Sequence, residues 1–496
     1  MQRTKTIRAP RANRCRALAA AALTVAAVAA ASGSAHAADR VYWANFESQS
    51  IGYSTVDGTA GGTVPTTGAT IDKAQGVALD SSSNRIFWAN SQNGKISYAS
   101  LSGSGGGDLD TTGASMSAPQ GVAIDPTSER IYWANASSNK ISYASLSGGN
   151  GGNLNTSGAT VNTPVGVAVD PAAGKIYWAN YTGGKISYAR LDGTGGGDIP
   201  TTGAMTNGVT GVAVDAAAGR IYWTNNGGSI GSAKLDGSGG GQMFSAPGAS
   251  INGPAGIALD TVIGRAYWAN AGNDKISFGA LSGTGGSNLL TQPGTTDNPT
   301  YLLVQKEPAG TKAPSISGSP KLGGTLTCGG DSWQRDVPAA FLYRAPSQIR
   351  YSWSLNGTTI GGATSTELKP VKPGDYRCMA TAANAAGTAS QSSGVARVAA
   401  PSNEFTVSKP VRNKTKGTAT LKVTPAGPGS VTLAGRGLKP QQAKAGGPVD
   451  LPVKTTGRTR KRLRKDGSVR VIAKVAFTPT NGEQAVKQVQ VKLVRK

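Results

Sequence analysis

From Val41 to about residue 306 the chain breaks into short apolar-rich runs separated by clusters of Gly, Asn, Ser and Thr. Stretches such as Lys140-Ile-Ser-Tyr-Ala-Ser-Leu146 alternate with period two, the signature of short strands. The runs recur in a fixed order: a G-[VI]-A-[LIV]-D segment, a four-residue loop, a basic residue, a [YF]-W-[AT]-N block, a Gly/Asn-rich turn, then the alternating stretch. Trp43, Trp88, Trp133, Trp178, Trp223 and Trp268 stand 45 residues apart without an insertion. A Gly-rich segment and one further short stretch complete each unit, so four strands fit each period.

One such sheet cannot bury both faces alone, whereas six around an axis can, with Trp and Tyr packed between them. The fold predicted for this part is therefore a six-bladed β-propeller. The first unit starts at Val41 without a G-V-A-[LIV]-D run, and Pro299-Thr-Tyr-Leu-Leu-Val-Gln305 stands unpartnered at the far end. The last segment is expected to supply the innermost strand of the first blade, which removes two exposed sheet edges.

Tyr222-Trp223-Thr224-Asn225, Leu235-Asp236-Gly237 and Gly211-Val-Ala-Val-Asp215, in this order and spacing, resemble the YWTD (low-density lipoprotein receptor class B) repeats. The resemblance implies a six-bladed ligand-binding scaffold over residues 39–306 and names no ligand. The Asp that ends the family motif is Asn in every copy (Asn45, Asn90, Asn135, Asn180, Asn225, Asn270), and its Thr is Ala in all but one.

Residues 307–403 open with the Pro308–Pro314 linker and hold Cys328, Trp353 and Cys378 at equal spacing, with Tyr376 two positions before the second Cys. They resemble an immunoglobulin-like sandwich, which implies a Cys328–Cys378 disulfide and a spacer or adhesion role. Residues 404–496 alternate at Thr418–Val423, Ser430–Ala434, Val449–Lys454, Ser468–Phe477 and Ala485–Val494, predicting a small β-sandwich. Its segment Arg458-Thr-Arg-Lys-Arg-Leu-Arg-Lys465 is read as a basic turn presenting Arg458, Arg460, Lys461, Arg462, Arg464 and Lys465. The whole chain is thus expected to be all-β.

Residues 1–38 read as an export leader: six basic residues, an apolar stretch from Ala17 to Ala31, and a small-residue cleavage site at Ala35-His36-Ala37. Cleavage removes Cys15 and the single histidine, leaving a secreted or cell-wall-associated chain with one cysteine pair and no further run long enough to span a membrane. The formal net charge of +24 is uneven. Residues 39–306 carry 14 basic and 17 acidic side chains, residues 404–496 carry 21 and 4. That pattern argues against a nucleic-acid-binding propeller and leaves two readings of the basic C-terminal region, simple solvated charge or a contact for an anionic wall polymer or membrane surface. Phe405 and Phe477 are the only aromatics there, too few for base stacking.

A mature chain without imidazole has no base for a serine triad, so Gly227-Gly-Ser229-Ile-Gly231 is read as a chance match to a nucleophile elbow. Asp80/Arg85, Asp125/Arg130, Asp170/Lys175, Asp215/Arg220 and Asp260/Arg265 recur in five units, and repetition suits cross-strand pairs better than catalysis. No metal site and no cofactor are expected. Where the inner strands begin, Gln75 and Gln120 at the channel, with Phe46, Glu47, Tyr181 and Asp274 in the turns after the Trp strands, are read either as ordinary surface or as ligand contacts. The leading expectation is a non-enzymatic protein that takes a protein or glycan ligand there. The alternatives are a carboxylate-dependent hydrolase or lyase, with two acids facing the channel mouth, and a structural protein with no specific ligand.

Overall fold

The structure, a computed structural model, describes residues 39–243 and 248–496. The expected leader, with Cys15 and His36, lies outside them. Five four-stranded antiparallel sheets follow one another in sequence, the first of them built from Ala74–Asp80, Arg85–Asn90, Lys95–Ser100 and Gly106–Asp108. A sixth combines Arg40–Asn45, Ser50–Thr55 and Gly61–Thr63 with Pro299–Gln305 from the far end of the repeats. Arg40 lies opposite Gln305 and Asn45 opposite Pro299, the closure that the phase of the repeat predicts.

The inner strands Pro299–Gln305, Ala74–Asp80, Pro119–Asp125, Pro164–Asp170, Val209–Asp215 and Pro254–Asp260 each pack on the next, and the last packs on the first. The ring is a closed β-propeller of six blades, numbered here by their tryptophans from Trp43. All six tryptophans are fully buried. Each indole N–H donates to a carbonyl in the loop leading to the inner strand of its own blade, as in Trp88 Nε1 to Thr70 O at 3.0 Å and Trp178 Nε1 to Thr160 O at 2.9 Å. One side chain therefore fills the space between blades and also fixes a loop.

The Asn that ends each Trp strand has a physical reason to be an amide. Asn90 accepts Asp72 N–H at 2.8 Å and donates Nδ2 to Ser97 Oγ at 2.8 Å. Asn135, Asn180 and Asn270 do the same with Ser117 and Ser142, Asn162 and Ser187, Asn252 and Ser277. A carboxylate at these buried positions would have no hydrogen to give.

The expected Asp/Arg cross-strand pairs are not formed. The residues face each other in register, as Asp80 with Arg85, but each turns to a different partner. The carboxylates close the four-residue turns: Asp80 accepts Ser82 N–H and Oγ and Ser83 Oγ, Asp125 accepts Thr127 N–H and Ser128 Oγ, and Asp170 accepts two loop N–H groups. The cations lie over aromatic rings, Arg85 at 4.8 Å from Tyr98, Arg130 at 4.7 Å from Tyr143 and Arg265 at 4.3 Å from Phe278. Local N–H donors at an Asp before a turn are always within reach, and a guanidinium stacks well on a flat ring.

Beyond the ring, Ser315–Gly318, Leu326–Gly329 and Glu367–Leu368 form one small sheet, and Gln348–Leu355 with Gly374–Asn384 centres a second. The Cys328–Cys378 disulfide joins them beside buried Trp353. Further on, two four-stranded sheets enclose a core of Leu421, Val431, Val453, Val475 and Leu493. The predicted basic turn is corrected: Gly457–Asp466 is an α-helix, α1. Arg, Lys and Leu favour helix, Leu463 anchors it in the core, and Gly467 ends it in the left-handed conformation with Arg464 and Lys465 in the last turn.

Candidate functional site

The axis of the ring is sealed near its start. Gly76, Gly121, Gly166, Gly211 and Gly256 occupy one level of five inner strands, and a Cβ on Gly211 would sit 2.5 Å from Ala255 O and 2.9 Å from the Gly256 Cα. Glycine is required there because neighbouring backbones almost touch. The sixth strand carries Tyr301 at that level. Its ring reaches across the axis to within 3.2 Å of where a Gly166 Cβ would stand, and its hydroxyl donates to Thr210 O at 3.1 Å. Burial pushes its phenol well above the ordinary range. Sequence reasoning passed over Tyr301, although the break in a five-fold Gly series marked it.

At the end where the inner strands finish, the chain closes its own propeller. The segment after Ser332–Trp333 makes a 3-10 turn, Pro338–Ala340, against the inner strands of blades three to six. Phe341 follows at φ 55, and Leu342–Tyr343 pairs in parallel with Val304 and Gln305. Ala339, Ala340, Phe341, Leu342 and Tyr343 are at most 5 % exposed and belong to the propeller core. Asp336 braces the turn by accepting Arg344 N–H at 2.6 Å and Ala345 N–H at 2.8 Å. Burial pushes its carboxyl above the ordinary value in spite of those donors. The half-buried Lys306 ammonium bridges Asp39 at 2.6 Å and Asp260 at 2.9 Å, tying the two ends of the repeat array to blade six. Burial works against that charge and the two carboxylates outweigh it, holding it above its ordinary value. Nothing in the period of the repeat announces this plug, because it lies outside the repeats.

Among the described residues no such plug covers the opposite rim, and the six expected contact residues all lie on that side without forming one cluster. Phe46, Glu47 and Asp274 make a continuous path across the seam: Asp274 accepts Asn298 N–H at 2.6 Å, Asn298 O accepts Phe46 N–H at 3.1 Å, and Lys73 sits 4.5 Å over the Phe46 ring while pairing with Glu47 at 2.6 Å. Tyr181 stands in blade four, across the ring from Phe46, 41 % exposed, and accepts from Asn226 Nδ2 at 3.3 Å. Gln75 and Gln120 are half-buried at the starts of neighbouring inner strands, and Gln75 O accepts Thr300 Oγ1 at 3.0 Å. Glu47 is engaged by an ammonium and Asp274 by a backbone N–H, and two further acids, Asp72 and Asp297, lie in loops on the same side, their own N–H groups bound to Asn90 and Asn45. Ser229 opens a strand, buried, and accepts from Asn225 Nδ2 at 3.0 Å.

On the blades, the outermost strand holds the loop that leads to the inner strand of the same blade. Asp108 accepts from Thr70 N–H, Thr70 Oγ1, Ser97 Oγ and the Lys95 ammonium, and Asp198 repeats the set with Thr160, Ser187 and Lys185. Burial raises both carboxyls, and these donors outweigh it, leaving each well below the carboxylate range. Asn153 and Asn288 hold the same place in two other blades without the charge.

A family profile described as "Lactonase, 7-bladed beta-propeller" matches residues 87–217, which run from blade two into blade five. The ring of this chain closes with six blades. No curated protein matches. Among solved structures, a chain of a nidogen/laminin complex is 16 % identical with TM-score 0.45, over 54 % of this chain and 98 % of that one. A protein of Lactobacillus plantarum is 14 % identical at TM-score 0.36, over 54 % and 99 %. A functionally unknown protein of Desulfotomaculum acetoxidans is 13 % identical at TM-score 0.39, over 55 % and 87 %.

Proposed function

We propose that this is a secreted or cell-envelope-associated binding protein, in which the open rim of the propeller takes a protein or glycan ligand and the basic C-terminal region retains the molecule at an anionic surface. The observation that carries the reading is the unequal treatment of the two mouths. One is filled by the chain itself and the axis is closed by Tyr301, so the rim is what remains for a partner, with Phe46 and Tyr181 as aromatic contacts. The repeats are read as YWTD-like blades. Residues 307–403 are read as an immunoglobulin-like spacer, a reading supported by the disulfide, by buried Trp353 and by the Tyr376 hydroxyl donating to Lys372 O at 2.8 Å.

The test is a glycan array and a protein pull-down with the full mature chain. A ligand whose retention drops about tenfold, roughly 1.4 kcal/mol, in Phe46→Ala/Tyr181→Ala supports the reading. A ligand indifferent to both changes removes the rim from it. The lactonase profile favours a second reading, hydrolysis of a lactone by the ring. Turnover of a lactone panel by the full chain in a pH-stat, above the buffer rate, would put that reading first.

A further inference from the structure

α1 divides its basic residues between two surroundings. Arg458 and Arg462, one turn apart, line a concavity of about 710 Å³ between the helix and the long hairpin Ser468–Pro479/Ala485–Val494. Arg460, Lys461, Arg464 and Lys465 do not line it. The other walls come from elsewhere in the chain: Arg470, Ile472 and Lys474 at alternate positions on one face of a strand, and Arg436 in the turn after Gly429–Ala434. Five cations from three segments therefore surround one groove. Asp466 pairs with Arg462 at 3.3 Å; among the described residues the other four have no carboxylate partner. Ile472, 54 % exposed, supplies an apolar patch among them.

Resting on the reading of this region as the retaining part, we propose that the groove binds a linear phosphodiester polymer, with successive phosphates on the arginine forks and the connecting carbon chain over Ile472. Converging cations repel unless anions sit between them. Four of the five are arginines, whose planar fork matches phosphate oxygens two at a time. A groove without an aromatic side chain offers nothing for a base to stack on, which disfavours nucleic acid. A concave site accepts one chain, where a lipid surface would require a flat or convex face.

The experiment is anisotropy titration of a fluorescent synthetic oligo(glycerol phosphate) with the full mature chain. Arg436→Gln/Arg470→Gln/Lys474→Gln is compared with Arg460→Gln/Lys461→Gln/Arg464→Gln, which removes equal charge from exposed positions outside the groove, and both are checked for unchanged melting. The groove variant is expected to weaken binding about tenfold or more, the other less than about threefold. Ile472→Ser is expected to weaken the oligomer about threefold and leave inorganic polyphosphate, which has no carbon linker, unchanged. Equal losses in the two triple variants overturn the groove and leave retention by diffuse charge standing. Tighter binding to vesicles of anionic lipid, insensitive to the groove variant, also overturns it. Failure of the wild-type chain to bind any polyanion overturns both the groove and the retention reading.

Discussion

The two mouths of the propeller are built from the same six inner strands and have opposite fates. Where the strands finish, residues 337–343 enter as though they were core, with Ala340 and Leu342 fully buried. Where the strands begin, the surface is polar, and its aromatic residues lie in turns. The difference teaches that the symmetry of the repeat does not set what a mouth does. What decides is sequence outside the repeat at one mouth, and single departures from it, such as Phe46, Tyr181 and Tyr301, at the other.

The most severe way to break the contrast is to pull the plug. Leu342→Ala should cost about 2–5 kcal/mol in denaturant unfolding, because the cavity forms where the propeller and the following region share one core. It should also speed proteolysis in the linker after Lys306; an unchanged midpoint with unchanged cleavage would mean that the contact is incidental. Next in size is the axis. Tyr301→Gly completes the glycine ring and removes a buried side chain and one hydrogen bond, at about 3–5 kcal/mol or somewhat less if the ring contracts. Conversely, Gly211→Ala forces a Cβ against Ala255 O and should destabilise by about 1–3 kcal/mol.

Acid sharpens the comparison because the two regions respond with opposite sign. Asp108 and Asp198 titrate below their ordinary 3.8 in the folded chain. The stability they contribute is present above that value and is lost as pH falls through it toward their folded values. Asp336 is shifted upward, so its contribution is fullest below 3.8 and is lost as pH rises through its folded value. In melts from pH 7 to pH 2, Asp108→Asn/Asp198→Asn should flatten the acid loss, as Asn153 and Asn288 already show the neutral arrangement to be viable. Asp336→Asn, which keeps an acceptor for the two N–H groups, should hold or raise the neutral-pH melting temperature. A lowered one would mean that its charge stabilises the plug. The smallest effect belongs to the rim. Tyr181→Ala should change stability by less than about 0.5 kcal/mol, and a larger loss would make it a structural residue rather than a contact.

The propeller was legible because each blade repeats the same packing problem and the sequence repeats the same answer: Trp for the gap, Asn for a site needing both donor and acceptor, Gly where backbones meet. The strand supplied by Pro299–Gln305 could be read from a vacancy in that register. The plug and Tyr301 could not be read by periodicity, since each occurs once. α1 was missed because ten residues with one apolar side chain show no period, and helix there depends on Leu463 finding a core made by other strands. The six rim residues share the side where the inner strands begin, but which of them meet depended on the order of blades around the ring, and Phe46 and Tyr181 fall in opposite ones.

Closure of the first blade by the last strand also sets a timetable. Trp43 cannot donate to Thr295 O, 252 positions later, until nearly the whole ring is available to fold. Blades two to six can pair locally as they emerge, whereas blade one waits with its inner edge uncovered. A folding barrier dominated by that single distant contact is slow by its topology.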